Sequence, residues 1–280
     1  MERAPEACIV CGSKSRDLLV EKDSWTVYRC AECGLGFLDP RPSRQEIEAL
    51  YHREYFAEQY DQGLDPGSSR FAQRIRGETH RVRFVGREKR TGRLLDFGCG
   101  YGYFLYACRA AGYDVQGVEL GEWARQYAVQ KLELDVRADD PDRVVRPQDR
   151  FDIITMWHFL EHMEQPDSVL RRANSWLRGD GILVIDVPNY EGTDARHRWQ
   201  AWEGWAPPYH LWHFTRSSLI SLLSKSGFRV VRTKDYHSDV IKQRLSPLRF
   251  LRPFARMVSK LYSGSIVAVI AVKDAGTKAG

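Results

Sequence analysis

The stretch Leu94-Leu95-Asp96-Phe97-Gly98-Cys99-Gly100-Tyr101-Gly102 decides the fold. A short apolar run enters it and a helical pattern, Tyr103–Ala111, leaves it. Glycines at such a strand-to-helix turn let the backbone approach a ligand closely, and the helix N-terminus offers free amides. The spacing is G-x-G-x-G behind an acid. The dinucleotide pattern G-x-G-x-x-G would need a glycine at 103, where the chain has Tyr. A carboxylate at 96 would repel a pyrophosphate and attract an ammonium group.

Outward from the loop, strand and helix patterns alternate. Strands are expected at Arg93–Phe97, Asp114–Glu119, Leu134–Ala138, Phe151–Trp157, Gly181–Val187, Phe228–Thr233 and Ile266–Val272. Helices are expected at Glu122–Leu132, Asp167–Leu177 (stopped by Gly179) and Ser217–Lys225. Repeated βα units of this kind argue for a doubly wound parallel sheet with helices on both faces. Glu119 ends the second strand, where an acid can bind two ribose hydroxyls. Asp139 and Asp140 follow the third strand, within reach of an adenine amine. Ammonium, ribose and adenine together describe S-adenosylmethionine (SAM).

With D-F-G-C-G-x-G, Gly117-Val-Glu119, Phe151-Asp-Ile-Ile, Leu160-Glu-His162 and a Gly179-Asp-Gly181 turn before Val187-Pro-Asn189, the stretch from Leu94 to about Thr233 resembles the class I SAM-dependent methyltransferases. The resemblance implies an α/β, Rossmann-like seven-stranded sheet whose last strand, Gly264–Lys273, runs antiparallel. It implies that Asp96, Gly98 and Gly100 hold the methionine end of SAM, that Glu119 holds the ribose, and that Leu120 packs on the adenine. Asp139 or Asp140 then reaches the adenine amine, and Trp157 joins the cofactor residues.

Acceptor chemistry is expected after the fourth strand, since α/β sites lie beyond the carboxyl ends of strands. There the chain reads Trp157-His158-Phe-Leu-Glu161-His162. His162 or His158 could take the acceptor's proton while Glu161 orients a histidine. Glu161 and His162 could instead hold Mg²⁺ beside a diol. Ubiquinone-biosynthesis O-methyltransferases, which this segment also resembles, carry an acid where His158 stands. The string H-x-x-E-H also matches an inverted zinc-protease motif, but that motif needs a helix and here it follows a strand. A long connection, 190–215, holds four of the eight tryptophans together with His210 and His213. Connections of this length are commonly lids or binding loops. His210 is a candidate second base or acceptor ligand, and its neighbour His213 is expected to be structural. The aromatic rings suit a sugar or an aromatic acceptor.

The six cysteines divide by position. Cys8, Cys11, Cys30 and Cys33 form two C-x-x-C pairs, each followed by glycine, with a short strand expected between them at Trp25–Arg29. That is a zinc-ribbon layout for a structural Zn²⁺, closed by four thiolates. Cys99 and Cys108 are expected to pack. The chain therefore reads as a ribbon over 1–40, a helical linker or cap over 41–91, and a methyltransferase domain over 92–280. Within 41–91, Ser43 and Glu46 suggest a capping box, and Arg70–Arg90 reads as a basic helix with a solvated charged face.

The apolar fraction of 43% supports a real core, and the net charge of +5 is a mild excess that does not demand nucleic acid. No secretory h-region opens the chain and no run is long enough to span a bilayer, so a cytoplasmic setting is expected. The cationic, amphipathic segment 241–262 could touch an anionic membrane or pack on the sheet. Three functions compete: methyl transfer to a small-molecule or sugar acceptor, methyl transfer to RNA gripped by the ribbon, and non-catalytic SAM or zinc binding. Spread-out basic residues and the lack of an Asn-Pro-aromatic motif after the fourth strand disfavour RNA. The intact Asp96, glycine loop and Glu119 disfavour decay to a regulator.

Overall fold

A computed structural model describes residues 1–43, 45–46, 63–138, 150–248, 250 and 252–274. The helix expected after Ser43 and much of the linker before Ser69 lie largely outside the described residues, as do Asp139 and Asp140.

Near the N-terminus are β1 (Arg16–Lys22), β2 (Trp25–Cys30) and β3 (Gly36–Leu38). Helix α1 (Ser69–Val85) is capped by Ser68, whose hydroxyl oxygen accepts from the Phe71 amide at 3.1 Å. Then come β4 (Arg93–Phe97), α2 (Tyr103–Ala110), β5 (Asp114–Val118), α3 (Glu122–Leu132), β6 (Asp135–Arg137) and β7 (Phe151–Trp157). They are followed by a 3₁₀ turn at Leu160–His162, α4 (Pro166–Trp176), β8 (Leu177–Pro188), α5 (Thr193–Arg198) and β9 (Trp212–His213). The chain closes with α6 (Arg216–Lys225), β10 (Phe228–His237), α7 (Asp239–Leu245), α8 (Ala255–Ser259) and β11 (Ser263–Lys273).

Seven strands form one sheet in the order β10-β11-β8-β7-β4-β5-β6, and four form a second in the order β1-β2-β3-β9. Strand β4 pairs in parallel with β5 and with β7, and β5 pairs in parallel with β6. The final strand, β11, runs antiparallel to β10, as expected for the last strand. Parallel strands covered on both faces read as continuous apolar runs. Leu94, Leu95, Ile153, Ile154 and Leu183 are accordingly fully buried.

Two compact units divide the chain. One comprises Met1–Ser43, His158–Arg171 and Ile185–Gly280, and the other Arg44–Trp157 and Arg172–Val184. In the second unit α1 differs from its expected all-solvated charged face. Glu78 is buried and ion-pairs with Arg74 and with Arg81, the latter at 3.3 Å, and Arg81 lies over the Trp157 ring at 4.9 Å. The expected turn at Gly179–Gly181 is extended strand, since β8 already begins at Leu177. Neither glycine takes a positive φ. Arg178 pairs with Asp152 at 3.3 Å and Lys89 with Asp180 at 2.5 Å, which ties this stretch in place.

In the first unit the small sheet joins distant parts of the chain. Gly36 and Phe37 of β3 pair with His213 and Trp212 of β9. A Cβ at Gly36 would come within 2.8 Å of the His213 Cβ, so only glycine allows this approach. The Leu38 amide donates to the Leu211 carbonyl at 3.0 Å, Lys22 Nζ donates to the Trp202 carbonyl at 3.2 Å, and Tyr190 donates its hydroxyl to the Gly34 carbonyl. Helix α6 begins at a capping box between Thr215 and Ser218, so the long connection is bonded at both ends. Trp202, Trp205 and Trp212 are buried, and their indole N–H groups donate to Ser265 Oγ, the Trp199 carbonyl and the Met163 carbonyl. These three rings are packing, not an open platform for a sugar. Among the described residues no helix is long and apolar enough to cross a membrane.

Candidate active site

The glycine loop lies in the second unit. Gly98, Gly100 and Gly102 take φ of +64°, +54° and +77°, which side chains with a Cβ adopt only at a cost. Gly102 also caps α2, and a Cβ there would come within 2.6 Å of Leu134 Cδ1. At Gly100 a Cβ would meet nothing within 4 Å among the described residues. Both oxygens of the buried Glu119 are engaged. Oε2 accepts from the Gly100 amide at 2.8 Å and Oε1 from the Gly121 amide at 2.7 Å. Burial holds this carboxyl above its ordinary range, and the two amides oppose that shift. A carboxylate oxygen accepts about two hydrogen bonds, so each still has capacity for a ligand hydroxyl. Asp96, also buried, accepts from the Thr155 hydroxyl at 2.6 Å. Leu120 is exposed. Trp157 is buried against Phe104, and its indole Nε1 has no hydrogen-bond partner among the described residues. Cys108 is buried in α2.

The candidate acid–base residues lie in the first unit. His158 follows β7 directly and takes a left-handed φ of +51°. Its amide donates to Asp186 Oδ1 at 2.9 Å, and its Nδ1 lies 3.3 Å from Glu161 Oε1. Glu161 is fully buried and its Oε2 has no partner among the described residues. His162 Nδ1 donates to the Tyr209 carbonyl at 2.9 Å, and His210 Nδ1 to the Gly204 carbonyl at 2.9 Å. A carbonyl only accepts, so the neutral His210 ring carries its lone pair on Nε2, whereas the His162 ring also hydrogen-bonds to the His158 backbone. The two rings meet edge to face with centroids 4.8 Å apart. The Leu211 amide donates to the Glu161 carbonyl at 2.9 Å, fixing the connection that carries His210 to the turn that carries His162.

Sequence reasoning missed Asp186. It is fully buried in β8 and also 3.3 Å from the Tyr236 hydroxyl. An acid inside the apolar run Ile182-Leu-Val-Ile-Asp186-Val was the available signal.

Burial pushes the three histidines down. His162 lies below its ordinary value and His210 well below it, with the neighbouring imidazoles adding to the effect at His210. His213, on β9, is lowered to about 3 by burial. A buried base with a depressed pKa contributes stability above the unfolded value of about 6.5 and loses it as pH falls toward the folded value. Between pH 7 and pH 5, His213 alone is expected to cost about 2 kcal/mol. Melting temperatures across that range should fall in the wild type. They should fall less in His213→Phe, and equal slopes in the two proteins would refute the assignment.

The four N-terminal cysteines are all free thiols whose Sγ atoms lie within 4.8 Å of one another, with Cys8–Cys33 and Cys11–Cys30 each at 3.5 Å. Four thiolates about 2.3 Å from Zn²⁺ would be ~3.8 Å apart, so the cluster fits the ion. Burial raises the Cys8 and Cys33 thiols above their ordinary value, and a bound cation would offset that by stabilising the thiolates. The Gly12 and Gly34 amides return to the carbonyls of Cys8 and Cys30 at 2.8 and 3.0 Å, closing a turn around each pair.

A ubiquinone biosynthesis O-methyltransferase from Actinobacillus pleuropneumoniae is 32% identical over 107 residues, which is 35% of this chain and 46% of that protein. The chain spans about half the length of the curated relatives it matches. A SAM-dependent methyltransferase from Archaeoglobus fulgidus superposes with a TM-score of 0.56 at 22% identity, covering 79% of this chain and 100% of that one. The magnesium protoporphyrin IX methyltransferase of Synechocystis PCC 6803, solved with bound SAH, superposes with a TM-score of 0.56 at 16% identity, over 83% of this chain and 100% of that one. At these identities the two structures show the fold, that of class I methyltransferases. A family model described as a methyltransferase domain matches residues 69–233, more than half of the sequence. The chain belongs to the methyltransferase-domain family.

Proposed function

We propose that the protein transfers a methyl group from SAM to a small-molecule or sugar acceptor. The observation that carries this reading is the bracing of the glycine loop by Glu119, with Asp96 at its entrance. This arrangement joins an open backbone cradle to two carboxylates, as a cationic, ribose-bearing ligand requires. SAM supplies, when bound, an electrophilic methyl group on a sulfonium. Asp96 and the Gly98 and Gly100 backbone hold the methionine end, Glu119 the ribose, and Leu120 the adenine face. Trp157, whose indole Nε1 has no partner among the described residues, joins the cofactor residues. Asp139 and Asp140 remain proposed adenine ligands.

The acceptor atom takes the methyl carbon, sulfur keeps the bonding pair, and the acceptor's proton goes to a base. His162 suits that role. Its ring is held by the Tyr209 carbonyl and by the His158 backbone, and burial favours the neutral form, the one that can take a proton. His210 has its Nδ1 proton on the Gly204 carbonyl and its lone pair on Nε2, and serves as a second base or acceptor ligand. Glu161 and Asp186 orient His158. His162→Ala is expected to lower kcat about 100- to 10,000-fold while leaving SAM affinity unchanged. If His162→Ala and His210→Ala both kept full turnover, this reaction centre would be wrong.

One observation favours a second reading. Glu161, His162 and His210 each offer a ligating atom within 4.8 Å of the others, and Glu161 Oε2 is buried without a partner. A divalent cation there would polarise the acceptor oxygen in place of a free base. Metal analysis separates the two. Two ions per chain, falling to one in Glu161→Gln, support the cation; one ion in both proteins supports the free base.

A further inference from the structure

The segment between β10 and β11 is held in place by small or inward-facing groups. Asp194 of α5 is buried and accepts from the Ser238 hydroxyl, from the Asp239 amide at 3.0 Å and from the Val240 amide at 3.2 Å. The Ser238 amide donates to the Ser259 carbonyl at 3.0 Å. Val240, Ala255 and Ser259 are the buried side chains of α7 and α8.

Its large apolar side chains point the other way. Leu248, Phe250, Phe254, Met257, Leu261 and Tyr262 are all exposed, Phe250 at 88% and Leu261 at 81%. They are half of the large apolar residues exposed among the described residues, gathered in one short stretch. An isolated exposed apolar residue needs no explanation, but a cluster marks an interaction surface. The residues interleaved with them are cationic. From Val240 to Tyr262 the sequence has six Lys or Arg and no Asp or Glu. Packing against the sheet, the alternative expected from sequence, would have buried these side chains.

We propose that α7, α8 and the turns around them form a docking surface for an anionic lipid bilayer. Apolar tips entering the acyl boundary while Lys and Arg meet the headgroups is the arrangement of interfacial amphipathic segments. Long cationic side chains suit this position because their stems lie on apolar surface while their charges reach outward. A second copy of the chain would bring like charges together. A nucleic acid would leave the aliphatic Leu248, Met257 and Leu261 against water. Because Asp194 ties the segment to α5, the docked surface is joined to the 190–215 connection that carries His210. The proposal does not depend on which acceptor is methylated.

Flotation of the full, zinc-loaded chain with phosphatidylcholine vesicles, with and without 30% phosphatidylserine, tests it. Binding is expected only to the anionic vesicles and should weaken at least tenfold between about 50 and 500 mM salt. The double variants Phe250→Ser/Leu261→Ser and Arg256→Glu/Lys260→Glu replace exposed groups. Each should cut vesicle binding about tenfold while melting temperature stays unchanged. Four results would overturn the proposal. They are no binding to anionic vesicles at low salt, equal binding to neutral vesicles, binding kept by both variants, and single-stranded RNA outcompeting the vesicles in a way that survives Phe250→Ser/Leu261→Ser.

Discussion

Cys30→Ser is expected to abolish zinc retention and to unravel the N-terminal sheet around β2 and β3. A structural four-thiolate site stabilises its fold by roughly 10 kcal/mol or more, and Cys30 is the buried member of the cluster. The loss should not stop at the ribbon. Without β3, the backbone of β9 loses its pairing at Gly36 and Phe37, Leu211 loses the Leu38 amide, and Tyr190 loses the Gly34 carbonyl. His210 lies in the same connection, so turnover should fall although no ribbon cysteine takes part in the reaction. Metal analysis and thermal melts check this. A Cys30→Ser protein that keeps one tightly held zinc and the wild-type melting temperature would refute the assignment.

Glu119→Ala is expected to weaken SAM binding by roughly 100-fold or more, since two hydrogen bonds to a charged carboxylate contribute about 1.5–3 kcal/mol each. It should also lower the melting temperature, because the Gly100 and Gly121 amides lose their acceptor. Glu119→Gln keeps one acceptor oxygen and the side-chain length, so it should bind SAM better than the alanine variant and melt closer to wild type. Calorimetric titration of the three proteins is the check. Equal SAM affinity in all three would show that Glu119 only braces the loop.

Strand and helix periodicity made much of the α/β core legible. Glu122–Leu132 and Phe151–Trp157 have the expected bounds because apolar runs and terminal turn residues mark them locally. The C-x-x-C pairs were equally legible, since four close sulfurs need no distant partner to be recognised. Non-local pairings were not legible. The two-residue strand β9 has no periodicity of its own and exists through β3, far away in sequence. The tryptophans of the 190–215 connection looked like a binding surface because composition does not show which way a ring faces. Their N–H donors turned out to be spent inside the connection and on Ser265 and Met163. His158 and His162 are legible by position after β7 and His210 by its place in the long connection, but how the rings are held depends on the Tyr209 and Gly204 carbonyls, which no motif marks. Asp186 is not legible as a site residue because the apolar strand pattern runs on through it.

Everything proposed for catalysis rests on SAM occupying the loop around Gly98–Gly102. Isothermal titration of the folded, zinc-loaded chain with SAM measures this directly. One SAM per chain is expected, with binding weakened by Glu119→Ala and unaffected by His162→Ala. A protein that is folded and carries its zinc but shows no SAM binding would contradict the reading of this chain as a methyltransferase.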